Sequence, residues 1–226
     1  MNFLVIEGID GSGKSTQIRQ ITAYLEQKEK PFRYLHFPRT DHSYYGELIS
    51  RFLRGDFGNI ASVDPYLVAL LYAGDRREAA AMIRQWLSEG YFVLLDRYVY
   101  SNIAFQCAKV TDENERDALR NWILGLEYEC HGIPKPDLNV LLDVPFSFTR
   151  KNLQGERRGS DREYLKGDRD IHEEDLEFQK RVREMYLWQA SLSNDLTIIN
   201  CLDPEGNMQP PDLIFNALKN ILDDNL

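Results

Sequence analysis

The apolar positions along the chain follow two spacings. Short, continuously apolar runs read as strands at Phe3–Ile6, Arg33–Phe37, Phe92–Leu95, Leu138–Asp143 and Leu196–Asn200. Between them, apolar residues recur three and four apart, which reads as helices over 14–28, 43–54, 65–89, 101–109, 113–131, 146–153, 173–192 and 212–222. Such alternation predicts an α/β fold: a five-stranded parallel sheet with helices on both faces. The Val-Leu-Leu runs before Asp96 and Asp143 suit strands buried on both sides. Asp64-Pro65 supplies a helix cap followed by proline at the first helical position. Pro134 and Pro136 mark a turn before the fourth strand. No repeat or linker tract divides residues 1–226, which read as a single domain. The stretch Gln154–Asp170 breaks the pattern, being polar, arginine-rich and interrupted by three glycines. It reads as a mobile loop or as a lid over about 154–171.

Composition narrows the partners. With 43% hydrophobic residues and a net charge of −9, the chain has no general attraction for nucleic acid or an anionic membrane. Any anionic ligand must be met by local positive charge. Cys107, Cys130 and Cys201 lack disulfide or metal spacing and read as reduced cytosolic thiols. The four histidines form no ligand cluster. The first strand starts at Phe3, leaving no room for a leader, and no apolar run is long enough to span a membrane. The expectation is a cytoplasmic protein with small-molecule partners.

The most specific chemistry lies in the first loop. Gly8-Ile9-Asp10-Gly11-Ser12-Gly13-Lys14-Ser15-Thr16 has the form G-x-x-x-x-G-K-[ST], a phosphate-binding P-loop between a strand and an amphipathic helix. Glycines let backbone N–H groups face phosphate oxygens. Lys14 adds positive charge at the β- and γ-phosphates, and Ser15 offers a hydroxyl to Mg²⁺. The following helix turns its positive dipole end to the same anion. A P-loop NTPase fold that binds ATP with Mg²⁺ is therefore expected.

Other candidates carry an alternative each. Asp96 ends a strand where ligands of parallel sheets gather; it can hold Mg²⁺ or polarise an attacking oxygen, or it caps a helix. Arg97 beside it can grip a phosphate through two parallel hydrogen bonds, or lie on the surface. Asp10, inside the P-loop, either accepts a hydrogen bond from an acceptor sugar or caps the next helix. Tyr72 and Arg76 share a helix face, where they stack on a base and read its edge or simply pack. Phe37-Pro38-Arg39 follows the second strand and can close the same pocket. Arg157, Arg158 and Arg162 suit a lid that offsets charge building in a phosphoryl-transfer transition state, or an exposed charged loop.

Together these motifs resemble the thymidylate kinases, P-loop nucleoside monophosphate kinases, over essentially the whole chain. The resemblance is carried by EGIDGSGKST at 7–16, FPR at 37–39, DPYLVALLYAGDR at 64–76, DRYVYSNIAFQ at 96–106, PKPDLNVLLDVP at 134–145 and the arginine-rich segment. It implies transfer of phosphate from ATP·Mg²⁺ to dTMP by direct in-line attack, in a cytosolic homodimer. The rivals are a kinase for dUMP or dGMP and a nucleotide-dependent switch. The resemblance further implies that Lys14 and Ser15 hold ATP phosphates and Mg²⁺, and that Asp10 binds the acceptor 3′-hydroxyl. Arg39 and Arg97 would bind the acceptor phosphate, Tyr72 would stack on thymine and Arg76 would meet its edge. Asn102, with Ser101 beside it in the same motif, matches a base-contacting position, Phe105 crowds the sugar 2′-position, and Arg150 lies beside the donor adenine. Gly11 and Ser12 stand where some members carry an arginine, so the catalytic arginine is expected from the lid, as Arg158 or Arg157 rather than Arg162. His172 stands where many members have a lid tyrosine facing the nucleotide.

Overall fold

The computed structural model describes residues 1–60, 62–145, 147–149, 165 and 170–223. Five parallel strands form the sheet: β1 (Phe3–Glu7), β2 (Phe32–His36), β3 (Phe92–Asp96), β4 (Leu138–Asp143) and β5 (Leu196–Asn200), in the order β2-β3-β1-β4-β5. The inner strands β1 and β3 are buried at every position, as apolar runs covered on both faces must be. The register sets Ile6 beside Asp96 and Glu7 beside Leu141, so the carboxyl ends of β1, β3 and β4 open into one crevice.

Helix α1 (Lys14–Gln27) leaves the P-loop through Gly13, whose φ of 86° lies in the left-handed region. It buries Ile18, Ile21, Tyr24 and Leu25 against the sheet. Helix α2 (Ser43–Leu53) packs with the start of α3 (Pro65–Ser88), where Ile49, Phe52, Leu53 and Val68 form a small second core. The Asp64 side chain caps α3 as expected, accepting from the N–H groups of Tyr66 at 2.8 Å and Leu67 at 3.4 Å. Helix α4 (Val99–Cys107) is buried along its whole length. Then follow α5 (Glu113–Leu124), a π-helical turn (Gly125–Cys130), the short α6 (Ile171–Glu174), α7 (Leu176–Leu192) and α8 (Pro211–Asp223).

Three helices differ from the sequence pattern, each for a local reason. The helix expected over 113–131 is α-helical only to Leu124; the chain then widens into the π turn, which carries Glu127 into the interior. The helix expected from residue 173 is split at Asp175, whose backbone is extended (φ −93°, ψ 93°) and whose carboxylate caps α7 through Phe178 N–H at 2.9 Å. Helix α4 starts at Val99 rather than residue 101, directly after the sharp turn at Arg97 and Tyr98. Of the helix expected over 146–153, residues 147–149 are helical and the rest lie outside the described residues. The lid expected over about 154–171, with Arg157, Arg158 and Arg162, lies outside them too, apart from Leu165, Asp170 and Ile171, as does Arg150. Among the described residues no helix is long and apolar enough to cross a membrane.

Candidate active site

The P-loop is shaped by glycine where side chains would collide. Gly8 has a φ of 152°, and a Cβ there would stand 2.8 Å from Ser12 Oγ and 3.2 Å from the Leu142 carbonyl oxygen. The loop then runs through Gly11 (φ 75°) and Gly13 (φ 86°) into the first turn of α1, where Ser15 is exposed and Thr16 half-buried. Lys14 curls back over the loop, its Nζ donating to the carbonyls of Gly8 at 3.3 Å and Ile9 at 3.1 Å. Burial, with the nearby Arg97 charge, brings the Lys14 ammonium down to about 8, against the pull of Asp96, Asp10 and Glu7. The N-terminus of α1 and this ammonium together make an anion cradle.

Arg97 is the hub of the crevice. It follows β3 with a φ of 67°, a left-handed conformation that a bulky residue adopts only when its surroundings hold it. The holding groups are explicit. Its Nη1 donates to the Gly8 carbonyl at 2.8 Å, Ser101 Oγ at 3.1 Å and Tyr186 Oη at 3.3 Å, and its Nη2 to Asp10 Oδ1 at 2.6 Å. Burial disfavours this cation, but Asp10, Tyr186, Asp96 and Glu7 together outweigh that and raise its pKa. Burial would likewise push the Asp10 carboxyl up; Arg97 and Lys14 hold it well below the ordinary carboxylate range. The other Asp10 oxygen accepts from Gln179 Nε2 at 2.9 Å. Asp10 therefore does not cap α1, whose N-cap is Gly13 and which has no side-chain cap. Beneath lies Glu7, wholly buried, accepting from Ser101 Oγ at 2.6 Å, Tyr186 Oη at 2.9 Å and Tyr98 N–H at 2.9 Å. Burial raises its pKa despite those donors.

Asp96 is buried at the end of β3 and caps no helix. Its Oδ2 stands 3.4 Å from His36 Nδ1, and its Oδ1 is buried with no hydrogen-bond partner among the described residues. Burial works against its charge, while His36, Lys14 and Arg97 lower its pKa on balance. A buried, ionised oxygen without a partner among the described residues fits Mg²⁺, which needs few protein oxygens when phosphates and waters complete its shell.

A second set of groups gathers on α3, α4 and the π turn. Arg76 and Glu127, at 2% and 0% exposure, pair bidentately, with Nε–Oε2 at 2.5 Å and Nη2–Oε1 at 2.6 Å. Asn102 Nδ2 donates to Glu127 Oε1 at 3.0 Å and to the Ala69 carbonyl at 3.1 Å. Tyr72, one turn before Arg76, packs on the second core, and burial raises its phenol. Arg39 is buried and anchored to Asp75, through Nε–Oδ1 at 2.8 Å and Nη2 to the Asp75 carbonyl at 2.8 Å. Phe37 is buried against the Tyr98 ring, with centroids 5.8 Å apart. Phe105 faces Arg97, whose guanidinium carbon lies 5.1 Å from the ring centroid.

His172 does not sit on an open lid. Its imidazole is buried among Phe105, Phe178 and Phe52 at centroid distances of 5.0, 5.3 and 5.4 Å. Burial and the neighbouring Lys109 charge bring it down to about 3, so the ring is neutral. An apolar cage excludes the charged form of a histidine.

The structure thus brings Asp10, Lys14, Asp96, Arg97, Ser101 and Phe105 around one crevice and joins Arg76 to Asn102 beside it. Sequence reading alone did not single out Glu127, Gln179, Tyr186 or Asp75. A signal for Glu127 existed: it continues the spacing of the buried Leu119 and Ile123, a carboxylate on an apolar stripe. Gln179 likewise falls on the buried face of α7 between Phe178 and Val182.

Residues 6–210 match the family model described as thymidylate kinase. A thymidylate kinase from Mycobacterium tuberculosis is 36% identical over 185 residues, covering 81% of this chain and 83% of the relative. A probable thymidylate kinase from Pyrococcus horikoshii is 33% identical over 202 residues, covering 88% of each. Among solved structures, a thymidylate kinase from Candida albicans superposes with a TM-score of 0.70 at 26% identity, over 98% of this chain and 91% of that one. With the P-loop, the buried Arg97 hub and the five-stranded parallel sheet in the P-loop NTPase arrangement, this chain belongs to the thymidylate kinase family.

Proposed function

We propose that the chain transfers the γ-phosphoryl group of ATP to dTMP, yielding ADP and dTDP, with residues 1–226 acting as one catalytic unit. The observation that carries this is Arg97: one guanidinium ties the P-loop carbonyl of Gly8 to Asp10. It stands where the two phosphate groups must meet.

In this reading the loop N–H groups of Gly8, Gly11, Ser12 and Gly13, with Lys14 and Thr16, receive the ATP phosphates. Lys14 exchanges its loop carbonyls for phosphate oxygens. Ser15 and Asp96 Oδ1 would hold Mg²⁺, which would supply positive charge against the ATP phosphates. On the acceptor side, Arg97 and Arg39 face the dTMP phosphate, Asp10 its 3′-hydroxyl and Phe105 its sugar. Ser101 orients Arg97. Tyr72 and Phe37 flank the thymine, while Arg76 and Asn102 meet its edge. The dTMP phosphate is ionised near neutral pH, so an oxygen of it attacks in line without a strong base. The barrier falls through positioning and charge neutralisation. Arg157 or Arg158 supplies further positive charge from the lid, and Arg150 lies beside the donor adenine.

The same reading carries a homodimer working in the cytoplasm. Exposed Tyr66, Leu67 and Leu70 on α3, with Trp122 edge-on to Tyr66 at 5.0 Å, give a second copy an apolar surface. The free thiols suit a reducing compartment. Light scattering reads the assembly, and a monomer at micromolar concentration removes the dimer.

The function is tested by ADP release from ATP·Mg²⁺ with dTMP, dUMP, dGMP, dCMP, AMP or no acceptor. Release that depends on dTMP is expected. Equal slow release in every tube overturns the kinase reading in favour of a nucleotide switch.

A further inference from the structure

We infer that Glu127 is the positioning residue for base selection: it turns Asn102 and Arg76 so that the pair presents one acceptor beside one donor to the acceptor base. The inference rests on the reading of this pocket as the seat of the acceptor nucleotide.

The argument begins with what the Asn102 amide faces. Its Nδ2 is 3.0 Å from Glu127 Oε1 and 3.1 Å from the Ala69 carbonyl oxygen. A carboxylate and a carbonyl can only accept. The end of the amide between them must be the NH₂; an oxygen there would face two oxygens and forfeit both hydrogen bonds. The amide oxygen is thereby turned the other way. Asn102 Oδ1 is buried and has no hydrogen-bond partner among the described residues. A buried orphan acceptor is costly in an apo site and is answered by a ligand donor.

The same carboxylate fixes Arg76. Nε and Nη2 are both taken by Glu127, at 2.5 and 2.6 Å, and Nη1 lies outside this pairing. One side chain thus sets two readers. Glu127 reaches them because it lies on a π-helical turn; single turns of this kind recur at functional sites.

The resulting pair is a donor, Arg76 Nη1, and an acceptor, Asn102 Oδ1, on two side chains that share one Glu127 oxygen. Its complement is a keto oxygen next to a ring N–H. Thymine and uracil offer O4 and N3–H. Guanine offers O6 and N1–H from a larger ring system. Cytosine and adenine present the reverse, an amino donor next to a ring-nitrogen acceptor, and meet the pair donor to donor and acceptor to acceptor. The device therefore selects keto bases over amino bases, leaving ring size to the walls formed by Tyr72 and Phe37.

Glu127→Met tests this. It offers no acceptor to Asn102 Nδ2, which frees the amide to turn over, and it leaves Arg76 Nε and Nη2 without their carboxylate. We expect KM for dTMP to rise about tenfold, with kcat changing less, and the preference for dTMP over dCMP in kcat/KM to fall by about tenfold or more. Loosened packing alone would scale both acceptors together and leave that ratio unmoved, so an unmoved ratio overturns the inference. Should the variant fail to fold by circular dichroism, wild-type enzyme decides with N3-methyl-dTMP, which lacks the ring N–H. A KM at least tenfold above that of dTMP supports the role of Asn102 Oδ1, and a KM within twofold of it overturns the proposal. Wild-type enzyme with no dTMP dependence removes the functional reading itself; wild-type preference retained in full by E127M removes only the role of Glu127.

Discussion

At the phosphate end of the crevice, the contacts come from consecutive residues 8–16, and much of the cradle is backbone. At the base end, Arg76, Asn102 and Glu127 come from α3, α4 and the π turn and meet only as buried side chains. The first end is built largely from the loop backbone, its glycines and Lys14. The second depends on charge neutralisation away from water, where losing one partner strands the other. On the proposed reading, binding of a triphosphate is a local property of the chain, and choice of acceptor a property of the packed core.

The largest expected effect would break the base end. Glu127→Ala strands a buried guanidinium and should cost about 3–5 kcal/mol in urea unfolding. Arg76→Met combined with Glu127→Leu should recover most of that stability while dTMP binding stays weak, separating what the pair does for folding from what it does for the base. A Glu127→Ala urea midpoint equal to wild type would dissolve the contrast between the two ends. Next, Arg97→Ala removes the link between them. Its kcat with dTMP should fall about 10²–10³-fold, the scale of losing one transition-state donor, while a fluorescent ATP analogue binds nearly as before. Near-normal turnover would take Arg97 out of the mechanism.

Smaller effects sharpen the picture around the acceptor side. A Cβ on Gly74 would stand 2.2 Å from the Tyr45 ring, which packs α2 onto α3 beside Arg39 and Asp75. Gly74→Ala should cost about 1–3 kcal/mol by overpacking, and Tyr45→Ala in that background should return part of it. Thermal melts of the single and double variants check this. The smallest effect is a pH dependence. Burial brings the Lys109 amine down to about 7, with Asp64 opposing, and its Nζ has no hydrogen-bond partner among the described residues. An unfolded lysine titrates near about 10.4. Between those values the unfolded chain holds a proton that the folded chain lacks, so stability rises with pH from 7 toward 10 and falls as pH drops back to 7. Lys109→Met should raise stability at pH 7 and flatten that rise; melts at pH 7 and pH 9 giving the same difference would exclude it.

Legibility followed the same divide. The strands were readable because runs such as Phe92–Leu95 can be satisfied only inside a covered sheet, and the P-loop because its glycine spacing is itself the mechanism. Asp10 was open between sugar and cap in the sequence; the structure removes the cap, since Arg97 and Gln179 hold its two oxygens. Asp96 and Arg97 were readable as candidates from their place at a strand end, but the left-handed turn that aims Arg97 back at the loop was not. Glu127 looked like one more residue of a helix over 113–131, since a pattern of apolar positions does not report where a helix widens. His172 was read by its likeness to a lid position; the aromatic cage around it depends on Phe52, Phe105 and Phe178, which are far apart in the chain.

By itself the sequence determined the parallel α/β sheet, the nucleotide-binding loop and the supply of arginines an acidic chain needs at an anionic site. Those follow from period, spacing and residue type, which act over a few neighbouring residues. Only the tertiary structure decided which carboxylate faces which arginine, which end of the Asn102 amide is left over, and which cations stay charged. Those depend on burial and on distances across the core, and a buried charge or amide is fixed by the partner that packing brings to it.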